Sequence, residues 1–249
     1  MPSGWRVATL VEARAESPTA RTLVLDVPDW PGHLAGQHLD LRLTAPDGYT
    51  AERSYSIASP ASDPAPSVRV EITVQRVPGG EVSGYLTETF AVGEAIEVRG
   101  PVGGWFVWSP VHDAGRPVVL AAGGSGVVPL VSMLRTRRDA GDRTPVRLVY
   151  SVRRPQDRLY VDDLERLARA GDGLEVHVAY TRAAPLDARR GPGRLTLAEL
   201  GAWGWPADIE PACFVCGPTG FVEAVSRTLV GLGHEPARVK TERFGPAVD

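Results

Sequence analysis

The sequence predicts an α+β chain of two domains: an N-terminal antiparallel six-stranded β-barrel over residues 1–112 and a C-terminal α/β domain on a parallel sheet over residues 113–249. Three observations carry this expectation. Short apolar and β-branched runs separated by Gly, Pro and Asp fill roughly the first 110 residues, the pattern of an antiparallel barrel. A turn cluster at His112–Pro117 then breaks the pattern, and strand-like and helix-like segments alternate after it, as in repeated βα units. The second-half strands are apolar throughout, as strands covered on both faces are.

In the first half the expected strands are Arg6–Val11, Thr22–Val27, His38–Leu43, Arg53–Ala58, Val68–Val77 and Ala95–Val98. The clearest is Val68–Gln75, whose strict alternation marks a half-buried strand. In the second half Val118–Ala122 is a strand and Pro129–Arg138 a helix. Val146–Ser151 is a strand, Tyr160–Ala170 a helix and Leu174–Tyr180 a strand. Leu197–Leu200 is a short helix, Ala212–Cys216 a strand, Gly220–Leu232 a helix and Val239–Arg243 the last strand.

Composition narrows the function classes. The chain has 249 residues, 43% hydrophobic and 23% charged, with a net charge of -3. That balance gives no case for nucleic acid, which favours a basic patch. No apolar run approaches the roughly 20 residues that span a bilayer. The start Met1–Arg6 lacks the basic and apolar pattern of a leader, so a cytoplasmic protein is expected. The two cysteines, Cys213 and Cys216, are too few for a disulfide framework or for an iron–sulfur cluster built from this chain alone. The five histidines show no metal-ligand spacing, and no metal is expected.

Four motifs carry chemistry. In Arg53-Ser54-Tyr55-Ser56, strand alternation sends Arg53 and Tyr55 to one face and Ser54 and Ser56 to the other. An arginine grips a pyrophosphate bidentately, and a tyrosine stacks on a flat ring, so one strand could hold both ends of a flavin nucleotide; alone, the same tetrapeptide also reads as a solvated face. In Gly79-Gly80-Glu81-Val82-Ser83 glycines precede a serine that could open a short helix, whose free N–H groups bind phosphate, or Ser83 is only a cap. In Gly123-Gly124-Ser125-Gly126 an apolar strand runs through a glycine turn into a helix, which allows close backbone approach to a pyrophosphate; without the strict G-x-G-x-x-G spacing it also reads as a tight turn with no ligand. Cys216-Gly217-Pro218 ends a strand of the second domain, where open α/β sheets place ligands.

These four motifs, in this order and spacing, resemble the ferredoxin–NADP reductase superfamily, in the two-domain form without a fused iron–sulfur domain. The ending Lys240–Pro246 resembles the tail of a bacterial subgroup. The resemblance covers nearly the whole chain and implies a barrel that binds FAD, a domain that binds NAD(P), and a cleft where the two cofactors meet. By match, Arg53 holds the flavin pyrophosphate, Tyr55 stacks on the ring and Ser56 contacts the nitrogen that receives hydride, with Ser54 in the same motif. Thr73, Val74 and Gln75 match the strand lining the flavin. Gly80, Glu81, Val82 and Ser83 match the phosphate turn, and Gly123, Gly124, Ser125 and Gly126 the nicotinamide-nucleotide turn. Cys216, followed by Gly217 and Pro218, matches the thiol beside the nicotinamide. Glu242 and Phe244 match the C-terminal acid and the aromatic near the opposite flavin face. Ser56, Cys216 and Glu242 are thereby the candidate catalytic residues.

The cofactors implied are FAD and NADP. NAD is the alternative nucleotide and FMN the alternative flavin. The 2′-phosphate of NADP needs cations, and Ser151, Arg153, Thr181, Arg182 and Arg194 stand where the family reads it. The implied activity is hydride transfer from NADPH to FAD, then electron transfer to a separate acceptor protein, a ferredoxin or another redox protein. The alternatives are an electron-relay or regulatory subunit of a larger complex, and a reductase of free flavin or quinones.

Overall fold

The computed structural model describes residues 4–111, 113, 115–188 and 190–245. Strands β1 (Arg6–Ser17), β2 (Ala20–Trp30), β3 (His38–Thr44), β4 (Thr50–Ser56), β5 (Ala65–Gln75) and β6 (Ala95–Val102) form an antiparallel six-stranded sheet in the order β4-β3-β6-β1-β2-β5. The two edges meet just past β4: Ile57 bridges Ile72 of β5, and the Ala58 N–H donates to the Glu71 carbonyl at 2.7 Å. This closes the barrel and leaves no long free edge. Its core comes from inward positions of the strands, among them Leu10, Leu23, Leu25, Leu39, Leu41, Ile72, Val74 and Val98. Helix α1 (Glu81–Glu88) caps it with Val82 and Leu86.

The expected first-half strands are all present but longer. β1 runs to Ser17 because its pairing with β2 shifts register between Leu10 and Glu12 and again between Ala15 and Ser17. A bulge moves the side chains that follow to the other face, which erases the simple alternation a sequence reader follows. β4 ends at Ser56, two residues before the expected end, because Ile57 and Ala58 leave β3 to pair with β5.

The second half forms a five-stranded parallel sheet. Its strands are β7 (Val118–Gly123), β8 (Val146–Val152), β9 (Leu174–Tyr180), β10 (Ala212–Pro218) and β11 (Val239–Phe244), in the order β11-β10-β7-β8-β9. Helices α2 (Val127–Asp139), α3 (Val161–Arg169), α4 (Leu197–Trp203) and α5 (Thr219–Gly231) cover it. β7 and β10 are apolar on both faces: Val119 and Val215 feed one core, Leu120 and Phe214 the other. The strand order reverses between β7 and β10, which opens a crevice at their carboxyl ends. The core on the barrel side continues into barrel residues Ala35, Ala58, Phe106 and Trp108, and Phe106 packs edge-on against Phe214 at 5.5 Å. Among the described residues no helix is long and apolar enough to cross a membrane. The expected boundary at residues 112/113 falls on His112, which lies outside the described residues, as does Pro246 of the tail motif.

Candidate active site

On β4 the alternation holds. Tyr55 pairs with Leu39 and Arg53 with Leu41 across β3, so both aromatic and guanidinium share the face of buried Ala51. Tyr55 is half-buried against the barrel core, and burial pushes its phenol up to about 12, so it stays a neutral hydrogen-bonding ring edge. Arg53 is exposed, and among the described residues its Nη1 donates only to the neighbouring Glu52 carbonyl at 2.6 Å, so none of their carboxylates occupies the guanidinium. Ser54 does other work: its hydroxyl donates to Asp40 at 2.7 Å, and Asp40 also takes Arg99 at 2.8 Å. Ser56 is half-buried opposite His38.

The second expected phosphate contact lies at the start of α1. The helix starts at Glu81, two residues before Ser83, and its N-cap Gly80 offers no side-chain cap. The leading N–H groups are therefore left for an anion. Ser83 is not the cap: its hydroxyl accepts from the Val77 N–H at 3.1 Å and donates to the Gly80 carbonyl at 3.3 Å, which fixes the turn ahead of the helix. Gly80 must be small, because a Cβ there would lie 2.7 Å from Ser83 Oγ. Val82 is buried and Glu81 exposed.

On β5 the expected flavin contacts divide. Val74 lies in the barrel core and Gln75 is exposed. Thr73 is buried, and its hydroxyl meets Thr22 Oγ1 at 2.6 Å and the Tyr160 phenol of the second domain. Its side chain therefore joins the domains.

Motifs three and four come together at the reversal point. A single 3-10 turn, Gly124–Gly126, links β7 to α2. A Cβ on Gly126 would lie 2.2 Å from the Cys216 carbonyl oxygen, and one on Gly217 would lie 3.1 Å from Gly123 Cα. Glycine is thus required on both sides for the two strand ends to pack this closely. Ser125 is half-exposed at the turn and Pro218 exposed beside it. Cys216 is fully buried, and burial first, then the charge of Glu242, push its thiol well above the usual range, so it stays a neutral packing group.

Glu242 follows from register: it is the partner of Cys216 across β10 and β11. Its Oε2 is buried with no hydrogen-bond partner among the described residues, and burial pushes the carboxyl up to about 7. Its other oxygen, Oε1, lies 3.7 Å from Nδ1 of His38, across the domain boundary. Burial holds His38 below its ordinary range, with the charge of Asp40 opposing. His38 is the site residue the sequence reading missed. Its place opposite Ser56 comes from strand pairing, which the sequence does not display. Phe244, at the end of β11, packs half-buried against the barrel-side core.

At the carboxyl ends of β8 and β9 the backbone ties the expected cation set together. The Thr181 N–H donates to Val152 at 2.8 Å and the Arg182 N–H to Arg153 at 2.9 Å. The Gly193 N–H donates to Tyr180 at 2.9 Å, bringing Arg194 to the same edge. Ser151 is buried at the end of β8. The side chains of Arg153, Arg182 and Arg194 are exposed. Arg190, by contrast, is spent on structure, pairing with Glu199 and donating to the carbonyls of Tyr180, Gly193 and Arg194.

The donor set fits a flavin dinucleotide and a nicotinamide nucleotide. Among the described residues there are uncapped helix starts at Gly80 and Gly126, a guanidinium without a carboxylate, a glycine cradle and an orphaned buried carboxyl oxygen. Comparison with known proteins points the same way. Residues 7–107 match the oxidoreductase FAD-binding domain, and residues 120–227 match the oxidoreductase NAD-binding domain. The chain is 36% identical over 246 residues to the ferredoxin–NADP reductase B of Sorangium cellulosum, a match covering 95% of this chain and 96% of that one. It is 35% identical over 214 residues to the glycine betaine monooxygenase reductase subunit of Pseudomonas aeruginosa, covering 85% of this chain and 56% of that one. It thus spans little more than half the length of that relative. The FAD/NAD-binding domain of the nitric oxide dioxygenase of Vibrio cholerae superposes with a TM-score of 0.83 at 26% identity, over 97% of this chain and 99% of that one.

Proposed function

The chain belongs to the ferredoxin–NADP reductase family, and from that premise we propose that it is an FAD-dependent NAD(P)H reductase that serves a separate electron acceptor. When bound, FAD supplies the centre that takes a hydride from the nicotinamide and releases electrons onward. On this reading residues 1–112 form the FAD-binding unit and residues 113–249 the NAD(P)-binding unit.

The observation that carries the reading is the approach of His38 to Glu242 at 3.7 Å, with Ser56 opposite His38 and Cys216 opposite Glu242. It makes the flavin strand and the nicotinamide strand two walls of one cleft. In that cleft Arg53 and the α1 start would hold the pyrophosphate, Tyr55 would support the flavin ring, and Ser56 would offer its hydroxyl as a hydrogen-bond donor to that ring. Cys216, a neutral buried thiol, would pack against the nicotinamide. Glu242 and His38 hold or release a proton at Oε1 and Nδ1.

FAD is favoured over FMN by room for a second nucleoside. A cavity of about 490 Å³ opens beside the phosphate grip, lined by Arg42, Tyr49, Ala51, Glu81 and Tyr85. NADPH is favoured over NADH by the exposed Arg153, Arg182 and Arg194 at one sheet edge. The acceptor is a ferredoxin or another redox protein, in keeping with a relative named as the reductase subunit of a monooxygenase. A cytoplasmic setting suits the two buried free thiols, which a reducing compartment preserves.

The test is steady-state NADPH oxidation by the flavin-loaded protein with ferricyanide and then with a ferredoxin. Turnover with both is expected. Bound flavin without turnover would instead fit a regulatory binding subunit.

A further inference from the structure

We infer that Arg135 and Tyr160 are positioning residues that set the separation of the flavin and nicotinamide walls. The inference rests on the reading of the cleft given above.

Helix α2 behaves as a strut. It begins at the Gly124–Gly126 turn, which belongs to the nicotinamide wall. Farther along, three of its side chains grip the segment that leaves the flavin strand. Ser132 Oγ donates to the Ser59 carbonyl at 2.7 Å, Arg135 Nη1 to the Ala58 carbonyl at 3.0 Å, and Thr136 Oγ1 accepts from the Ala61 N–H at 2.8 Å. Ala58 lies two residues beyond Ser56. A shift of α2 along this segment therefore moves the glycine turn relative to Ser56.

Arg135 fixes that relation in direction as well as distance. Its planar fork also donates to Glu71 Oε1 on the barrel at 2.6 Å and to Asp163 Oδ2 on α3 at 2.7 Å. Glu71 is held in turn by Arg14 at 2.7 Å. An ion pair this buried gains little net stability over a well-packed apolar side chain, because both charges lose their water. What the fork adds is orientation, since its donors point in fixed directions.

Tyr160 is the second clamp. It is a bulky residue at φ 54°, a left-handed conformation that such side chains rarely adopt. The barrel holds it at both ends. Its N–H donates to Glu16 Oε2 at 3.0 Å, and its phenol meets Thr73, which also meets Thr22. The Arg135 guanidinium lies over its ring at 5.2 Å. The strained residue of one domain is thus kept in place by polar groups of the other, and the two clamps touch.

The test uses FAD-loaded protein and three substitutions: Arg135→Met, Arg135→Lys and Tyr160→Phe. Two readouts are taken. The first is the distance distribution between nitroxide labels on Val92→Cys and Val230→Cys, both exposed, with the native cysteines buried. The second is the rate of flavin reduction at saturating NADPH, alongside the apparent NADPH Kd. The parent should give one narrow distance. Arg135→Met should broaden or shift it and slow reduction by about tenfold to a hundredfold, as misplacement of reacting groups does, with the Kd within about twofold. Tyr160→Phe should do the same to a smaller extent, and Arg135→Lys should recover part of the rate. Parental distances and parental rates in Arg135→Met and Tyr160→Phe would overturn the inference, as would a loss confined to Kd. If Arg135→Met does not fold, Tyr160→Phe, which removes one oxygen, decides alone. If the FAD-loaded parent is not reduced by NADPH, the functional reading fails, and the label distances decide whether these residues set the domain geometry.

Discussion

Nδ1 of His38 lies 3.7 Å from Oε1 of Glu242, and this pair joins the third barrel strand to the last strand of the parallel sheet. Each partner is displaced toward its neutral form by burial, the carboxyl upward to about 7 and the imidazole downward. Near neutral pH the cleft therefore holds a carboxyl that gains or loses its proton with small changes in conditions, beside a ring that is already neutral.

That displacement makes stability pH-dependent. Between the ordinary value of 4.5 and about 7, the folded protein keeps a proton on Glu242 that the unfolded chain releases. Stability therefore falls as pH rises through that window, by about 3 kcal/mol from this group. His38 acts in the opposite sense, costing stability as pH falls below its ordinary 6.5. Glu242→Gln isolates the first effect: relative to the parent, the variant should gain stability in denaturant titrations between about pH 5 and about pH 8. An identical difference at both pH values would show that the carboxyl titrates normally.

Arg53 and Ser56 should separate binding from chemistry. Arg53→Ala removes a charged phosphate contact worth about 1.5–3 kcal/mol, so FAD affinity should fall by about tenfold to a hundredfold in fluorescence titrations. Ser56→Ala should leave FAD bound and slow its reduction by NADPH by about five- to tenfold, the worth of one neutral hydrogen bond of about 1 kcal/mol. Unchanged reduction in Ser56→Ala would remove that hydroxyl from the mechanism.

Arg182 sits beside Arg153 through the hydrogen bond from its own N–H to the Arg153 carbonyl. Arg182→Ala should lower kcat/KM for NADPH by about tenfold or more and leave kcat/KM for NADH unchanged, since only the former carries the extra phosphate. An equal loss for both would mean that the arginine acts on structure.

Two glycines should respond in opposite ways. Gly126→Ala places a methyl 2.2 Å from a carbonyl oxygen and should destabilise the protein by about 1–3 kcal/mol. Gly84→Ala sits inside α1 with nothing within 4 Å of the new methyl, and should stabilise by about 0.5–1 kcal/mol. Thermal unfolding measures both.

The sequence makes the architecture legible where pattern and packing agree. Val68–Gln75 alternates and is a strand; Val118–Ala122 is apolar throughout and is a central buried one. It hides β1 beyond Val11, because two register shifts break the alternation. The phosphate turns could be read from glycines, whose requirement is local backbone approach. The roles of Thr73 and His38 could not. Thr73 lies on a strand expected to line the flavin, yet its hydroxyl is taken by Tyr160, eighty-seven residues later in the chain. His38 gains its meaning from Glu242, brought close only when two domains pack. Interactions between distant segments leave no periodic trace in either one.

On the proposed reading, this cleft brings a reduced nicotinamide against a bound flavin. Anaerobic mixing of the FAD-loaded protein with NADPH, followed by the visible absorbance of oxidised flavin in a single turnover, decides it. Prompt bleaching is expected, faster with NADPH than with NADH, and slowed in Ser56→Ala. A protein that holds FAD and keeps its full absorbance in the presence of either nucleotide would contradict it.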